Sequence, residues 1–255
     1  MRSFETFYSF SEPLPHRLAL GAGEVQVVRL NIEELRPFLR ELYGILSPDE
    51  LSRASLYRYP KDGDGFILVR GALRLMLSRY LDCNPQEVRF AYNSQGKPRL
   101  AGGLAASGLE FNISFSGAIA IFGFSQGIAL GIDVEQRDSK LDFISVKDRF
   151  LEQRDSHFLE ELPEGIRRDG FFALWTLREA AAKAEGEGIF MKATTRPLSM
   201  DKWTAFSLFP GAGYSATLVM EQPGDRVTFW SWSNKAVGLS HGPSDPAQEI
   251  QEIRS

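Results

Sequence analysis

The chain has 255 residues, of which 43% are hydrophobic and 24% charged, and a net charge of −4. That length and balance fit a folded protein of one large domain or two small lobes, and the negative charge argues against nucleic acid or an anionic membrane as partner. The single cysteine, Cys83, excludes an internal disulfide and suits a reducing cytoplasm. Three scattered histidines (His16, His157, His241) offer no zinc spacing. The first residues contain no apolar run resembling a signal peptide, and no stretch approaches the ~20 apolar residues of a membrane helix.

In chain order, EVQVVRLNI (24–32) reads as a strand. SPDELSRASLYRY (47–59) carries helix-start signals: Ser47 as N-cap, Pro48 at the first helical position and Glu50 three residues after the cap. FILVRGALRLMLSRYL (66–81) predicts a long amphipathic helix. The strand VRFAY and the turn NSQGKPRL follow. FNISFSG (111–117) predicts a half-buried strand running into a turn, with the apolar Phe115 wedged between two serines. AIAIFGFS and IALGIDVE (128–135) predict two further strands, separated by a turn at Gln126 and Gly127. Residues 142–161 and 167–188 predict helices, the second stopped by Gly186 and Gly188. WTAFSLF, YSATLVM and RVTFWSWS predict strands joined by Gly/Pro turns. Helices followed by strands, twice over, predict two α+β lobes rather than a doubly wound sheet. The expected division is 1–125 and 126–240, with a mobile polar tail at 241–255.

Two segments carry chemistry. Residues two apart share a face of a strand, so GIDVE aims Asp133 and Glu135 the same way and sends Ile132 and Val134 into the core. In WTLREAAAKAEGEG, Trp175, Glu179 and Lys183 lie on one helical stripe. Taken singly, these are a solvated strand edge, a surface ion pair and a core tryptophan. Taken together, three carboxylates without His or Cys favour Mg²⁺ over zinc. Mg²⁺ completes its shell with water and phosphate oxygens, and a nearby lysine can neutralise phosphate charge, which points to a phosphate-bearing substrate.

GIDVE, followed some forty residues later by FFALWTLREAAAKAEGEG, resembles the signature pair of the Sfp-type 4′-phosphopantetheinyl transferases. Every fixed position of the second motif is met, with Arg178 in its Lys/Arg slot. The likeness runs from about residue 46 to about residue 192 and includes the G-K-P turn. It implies an α+β pseudo-dimer of two similar lobes, each a small, mostly antiparallel sheet packed with a long helix. Coenzyme A would sit in the cleft between them. The implied reaction is Mg²⁺-dependent transfer of the phosphopantetheine arm of coenzyme A to a serine of an apo acyl or peptidyl carrier protein, releasing 3′,5′-ADP. By position, Asp133, Glu135 and Glu179 match the metal carboxylates. Glu179 also matches the general base and Lys183 the residue that steadies the pyrophosphate. Lys97, Ser114, Phe115 and, less closely, Arg70 fall at cofactor contacts. A cytoplasmic monomer is expected, with no nucleic acid and no membrane.

The chain departs from the family at one end of the cofactor. The family histidine of F-N-[IL]-S-H-S-G is Phe115 here, and an upstream arginine aligns with Gly65. In the family both serve the 3′-phosphate. Phe115 either packs on the adenine while Lys61, Arg58 or Arg99 holds the phosphate, or marks altered donor use. The competing readings keep the fold without the transfer: a coenzyme A- or carrier-binding protein, or a repurposed biosynthetic enzyme.

Overall fold

The computed structural model describes residues 8–94, 96–186, 202–221 and 226–239. The first half of the chain supplies β1 (Tyr8–Ser9), β2 (Glu12–Pro13), β3 (Glu24–Asn31), α1 (Leu39–Gly44), α2 (Pro48–Ser55), α3 (Pro60–Leu81), β4 (Phe90–Tyr92), β5 (Pro98–Leu100), β6 (Leu109–Ser116) and β7 (Ile119–Gln126). The second half supplies β8 (Leu130–Gln136), α4 (Phe143–Phe150), α5 (Gln153–Glu161), α6 (Glu164–Glu185), β9 (Trp203–Phe209), β10 (Tyr214–Glu221) and β11 (Arg226–Ser231). The α+β architecture is as expected. Three boundaries differ from the sequence reading. α3 begins at Pro60, because Pro at the first helical position needs no N–H. The helical stretch 142–161 breaks into α4 and α5 at Leu151, whose backbone is extended. β6 continues through Phe115 and Ser116 into the turn at Gly117. The polar tail lies outside the described residues.

A five-stranded sheet runs β2-β11-β3-β7-β6, and a four-stranded sheet runs β1-β9-β10-β8. β4 and β5 form a separate hairpin. The chain crosses between sheets at the Gln126–Gly127 turn, yet each sheet takes strands from both halves of the chain. β11, late in the chain, lies parallel to β3, and β1 lies parallel to β9. A division into 1–125 and 126–240 therefore does not follow the sheets.

Strand alternation builds the layers. In β3 and β7, Val28, Leu30, Phe122 and Phe124 face α3, whose Leu73, Met76 and Leu77 are fully buried. The opposite face, Val25, Val27, Ile119 and Ile121, packs on Ile132, Val134, Leu208, Ala216 and Leu218 of the second sheet. Helix α6 closes the far side. Gly131 permits this: a Cβ there would lie 2.0 Å from the carbonyl oxygen of Ala180 and 2.4 Å from the nitrogen of Ala184. The small Ala180, Ala181 and Ala184 complete the approach against Trp203 and Val219.

Gly131→Ala is expected to destabilise the fold by more than about 3 kcal/mol, since backbone on both sides must move. Gly65→Ala, in α3 with nothing within 4 Å of the added methyl, should be neutral or stabilise by about 0.5–1 kcal/mol. Urea denaturation of the two variants measures the contrast.

Candidate active site at the junction of the two sheets

β6 and β8 are edge strands of different sheets, and they lie side by side. No backbone ladder joins them. Instead, alternate residues of β6 reach across. Asn112 Oδ1 accepts from the Ile132 N–H at 2.8 Å. The Ser114 hydroxyl donates to Asp133 Oδ1 at 2.9 Å. The Ser116 hydroxyl donates to Glu135 Oε2 at 3.0 Å and accepts from the Gln136 N–H at 3.1 Å. The polar residues of FNISFSG thus face the neighbouring sheet, while Phe111 and Ile113 face the α3 core. Asn112 and Ser114 are buried, where a half-buried strand would have turned them to water.

Helix α6 adds the basic partner. Lys183 Nζ lies 2.6 Å from Asp133 Oδ1 and also donates to Ser114 Oγ and to the Ile132 carbonyl, both at 3.1 Å. A lysine ammonium has three donors, and all three are engaged. Asp133 is 3% exposed, and its second oxygen, Oδ2, is buried with no hydrogen-bond partner among the described residues. Burial pushes the Asp133 carboxyl up, against the pull of Lys183. Burial, followed by repulsion from Asp133, also raises Glu135 and Glu179 from 4.5 to about 7. Asp133 therefore sits close enough to both glutamates to oppose their ionisation. Among the described residues they do not form a cluster of three or more metal ligands.

The other expected residues fall into different places. Lys97 lies beside β8 and the end of α6, and its ammonium bonds the carbonyls of Lys183 at 2.5 Å and Leu130 at 3.4 Å. Burial lowers its pKa. Arg70 is placed in the α3 core rather than beside the carboxylates. Its guanidinium is 3.5 Å from buried Glu50 and lies over the rings of Phe66 and Phe90. Arg74 shares that glutamate at 2.8 Å. On α6, Arg178 ties the helix to α5 through Glu152 and Asp155, and Trp175 stacks on Phe172. Sequence reading missed the seam roles of Asn112 and Ser116. The alternation N-x-S-x-S was visible, but only the second sheet reveals its target.

Phe115 points to the opposite face of β6 and is 37% exposed. It lines a cavity of ≈540 Å³ with Gly65, Tyr57, Tyr214, Arg36 and Lys61. Arg36 is paired with Glu33, whose carboxyl it lowers. Arg99 lies elsewhere, in a cavity with Leu109 and Phe111.

Comparison with known proteins identifies the family. A family profile described as the 4′-phosphopantetheinyl transferase superfamily matches residues 129–238. The 4′-phosphopantetheinyl transferase HetI of Nostoc sp. is 33% identical over 230 residues, 86% of this chain and 97% of that protein. The 4′-phosphopantetheinyl transferase Sfp of Bacillus subtilis is 26% identical over 146 residues, 57% of this chain and 62% of that protein. The chain belongs to the 4′-phosphopantetheinyl transferase superfamily. No helix among the described residues is long and apolar enough to cross a membrane.

Because Glu135 and Glu179 bind protons more tightly in the folded chain, they destabilise it progressively as pH rises from 4.5 to about 7. In a chelator, the midpoint of thermal unfolding should fall across that window relative to the Glu135→Gln, Glu179→Gln double variant. Curves that run parallel would contradict the upward shift of the two carboxyls, which burial and then Asp133 produce.

Proposed function

We propose that the protein transfers the 4′-phosphopantetheine arm of coenzyme A to a serine of an apo carrier protein, releasing 3′,5′-ADP. The observation that carries this is the trio Asp133, Glu135 and Lys183 gathered on one seam, with Glu179 raised to about 7 by burial first and then by the charge of Asp133. It would act in the cytoplasm, as a monomer, on acyl or peptidyl carriers.

The three carboxylates are not gathered into a metal-ligand cluster among the described residues, but the chemistry of these donors suits Mg²⁺. Asp133 Oδ2 is a buried acceptor without a hydrogen-bond partner among the described residues, and Glu135 and Glu179, raised by burial, also carry repulsion from Asp133 that a cation would relieve. A set of all-oxygen donors short of a full protein cage matches an ion that keeps waters and takes phosphate oxygens. Asp133, Glu135 and Glu179 would hold it. When bound, Mg²⁺ supplies positive charge to the pyrophosphate oxygens as they become more negative.

The chain's own groups perform the proton work. Glu179, with a pKa near neutrality, accepts the proton of the carrier serine hydroxyl. The serine oxygen then bonds to the β-phosphorus of coenzyme A, and the bond from that phosphorus to the bridging oxygen breaks. Lys183 stabilises the charge left on the departing 3′,5′-ADP and can return a proton to it. Its ammonium, held by Asp133, Ser114 and Ile132, must exchange at least one of these partners for phosphate.

The cavity beside Phe115 is our candidate for the nucleotide end of the donor. Phe115, Tyr57 and Tyr214 offer ring faces, and Arg36 and Lys61 offer charge. On this reading the phosphate contacts have moved from the strand to the helical wall.

The direct test incubates the protein with an apo carrier, coenzyme A and Mg²⁺ and reads the carrier's mass. Addition of the arm is expected. No addition to any of several carriers, with coenzyme A still bound, would favour a binding protein. Glu179→Gln should lower the rate by about 10²–10⁴-fold at near-normal stability; an unchanged rate would refute its role as base. For the donor end, Lys61→Met should erode the preference for coenzyme A over dephospho-coenzyme A more than Phe115→His alters it. Equal preference in Lys61→Met and the wild type would place the phosphate contact elsewhere.

A further inference from the structure

The last turn of α6 is held from the other lobe. In the turn after β4, Asn93 organises its own loop: its N–H donates to the Lys97 carbonyl at 3.1 Å. Its carbonyl accepts from Gly96 at 2.9 Å, and its side-chain oxygen accepts from the Lys97 N–H at 2.8 Å. Gly96 adopts a positive φ of 80°, which closes the turn. The remaining donor, Nδ2, crosses to the carbonyl of Gly186 at 3.1 Å, the residue that caps α6. Lys97 Nζ crosses beside it to the carbonyls of Lys183 and Leu130. The last carbonyls of a helix lack its regular partners and form the negative end of the helix dipole, so an amide donor and an ammonium are suited to them, here beside the 3.3 Å bond that the Lys183 carbonyl accepts from the Gly186 N–H.

We propose that Asn93 and Lys97 are positioning residues for Lys183. They fix the end of α6 relative to β8, so that the Lys183 side chain, on the same turn, stays over Asp133 and Ser114. Gly131 sets how closely α6 approaches β8, and this latch sets where its last turn sits. The sequence signal is the N-x-x-G-K spacing, which builds a turn around one asparagine and leaves two donors pointing outward. This inference rests on the proposed transferase reading for its kinetic readout, and it assigns Lys97 to the helix end where the family resemblance assigns it to the cofactor.

The test compares Asn93→Asp, Lys97→Met and their combination. Asn93→Asp keeps the oxygen that accepts from the Lys97 N–H and removes the donor to Gly186. Each single variant should lower kcat for carrier modification by about tenfold to a hundredfold, with KM for coenzyme A changed less than about threefold. The combination should cost little more than either alone, because both act through one helix end. Lys97→Arg, which retains donors for the two carbonyls, should restore much of kcat. Hydrogen exchange at residues 183–186 should accelerate in Asn93→Asp, and this readout needs no activity. A raised KM with kcat retained in Lys97→Met would overturn the proposal in favour of a cofactor contact. Unchanged kcat in Asn93→Asp, or unchanged exchange at the end of α6, would overturn it as well. Absence of transfer by the wild type would refute the functional reading, while the exchange result would still decide whether the latch exists.

Discussion

Two open sheet edges meet along β6 and β8, and the molecule joins them with side chains rather than with backbone. An exposed edge offers unpaired N–H and C=O groups, which folded proteins pair, cover or charge. Here Asn112 satisfies a backbone N–H of β8, and the two serines satisfy carboxylates. Buried carboxylates without partners would be costly, so each serine both closes the junction and orients an acid. The spacing of two residues in both strands makes the match possible: 112, 114 and 116 on one side face 132, 133 and 135–136 on the other.

The site's electrostatics follow from that closure. Asp133 is deeply buried and would resist ionisation without Lys183. Lys183 is available because Gly131 lets α6 lie directly on β8. Glu135 and Glu179 are then raised to about 7, by burial first and by repulsion from Asp133 second. The arrangement is stable enough to fold, yet one carboxylate oxygen is left without a partner among the described residues. That imbalance is what a cation and a pyrophosphate would resolve, and it gives the proposed chemistry a physical reason to occur at this seam.

Much of the plan was legible in the letters. GIDVE gave the right faces because strand alternation depends only on local geometry: Ile132 and Val134 are core, and Asp133 and Glu135 share the other side. The capping residues Ser47 and Glu50 predicted the start of α2, and both capping-box bonds are present. Pattern failed where the partner is distant in sequence. The half-buried strand expected of FNISFSG did not say what Asn112 and Ser114 would meet, and only the second sheet explains their burial. Arg70 matched a cofactor position by alignment, yet an internal glutamate and two rings hold it in the α3 core. The strand exchange by β1 and β11 left no local mark, since parallel pairing between chain ends has no turn signal.

Phe115 stands on the far side of the same strand from the acids. Its neighbours Ser114 and Ser116 face the carboxylates, and its ring faces the cavity with Lys61 and Arg36. One strand end thus adjoins both the proposed transfer chemistry and the proposed nucleotide pocket, which is the account's central claim. Anomalous diffraction from crystals grown with Mn²⁺ and coenzyme A tests it most directly. The account predicts a cation held by Asp133, Glu135 and Glu179, with the pyrophosphate beside Lys183 and the adenosine end beside Phe115. A cation bound away from Asp133, or coenzyme A bound away from the β6–β8 seam, would contradict it.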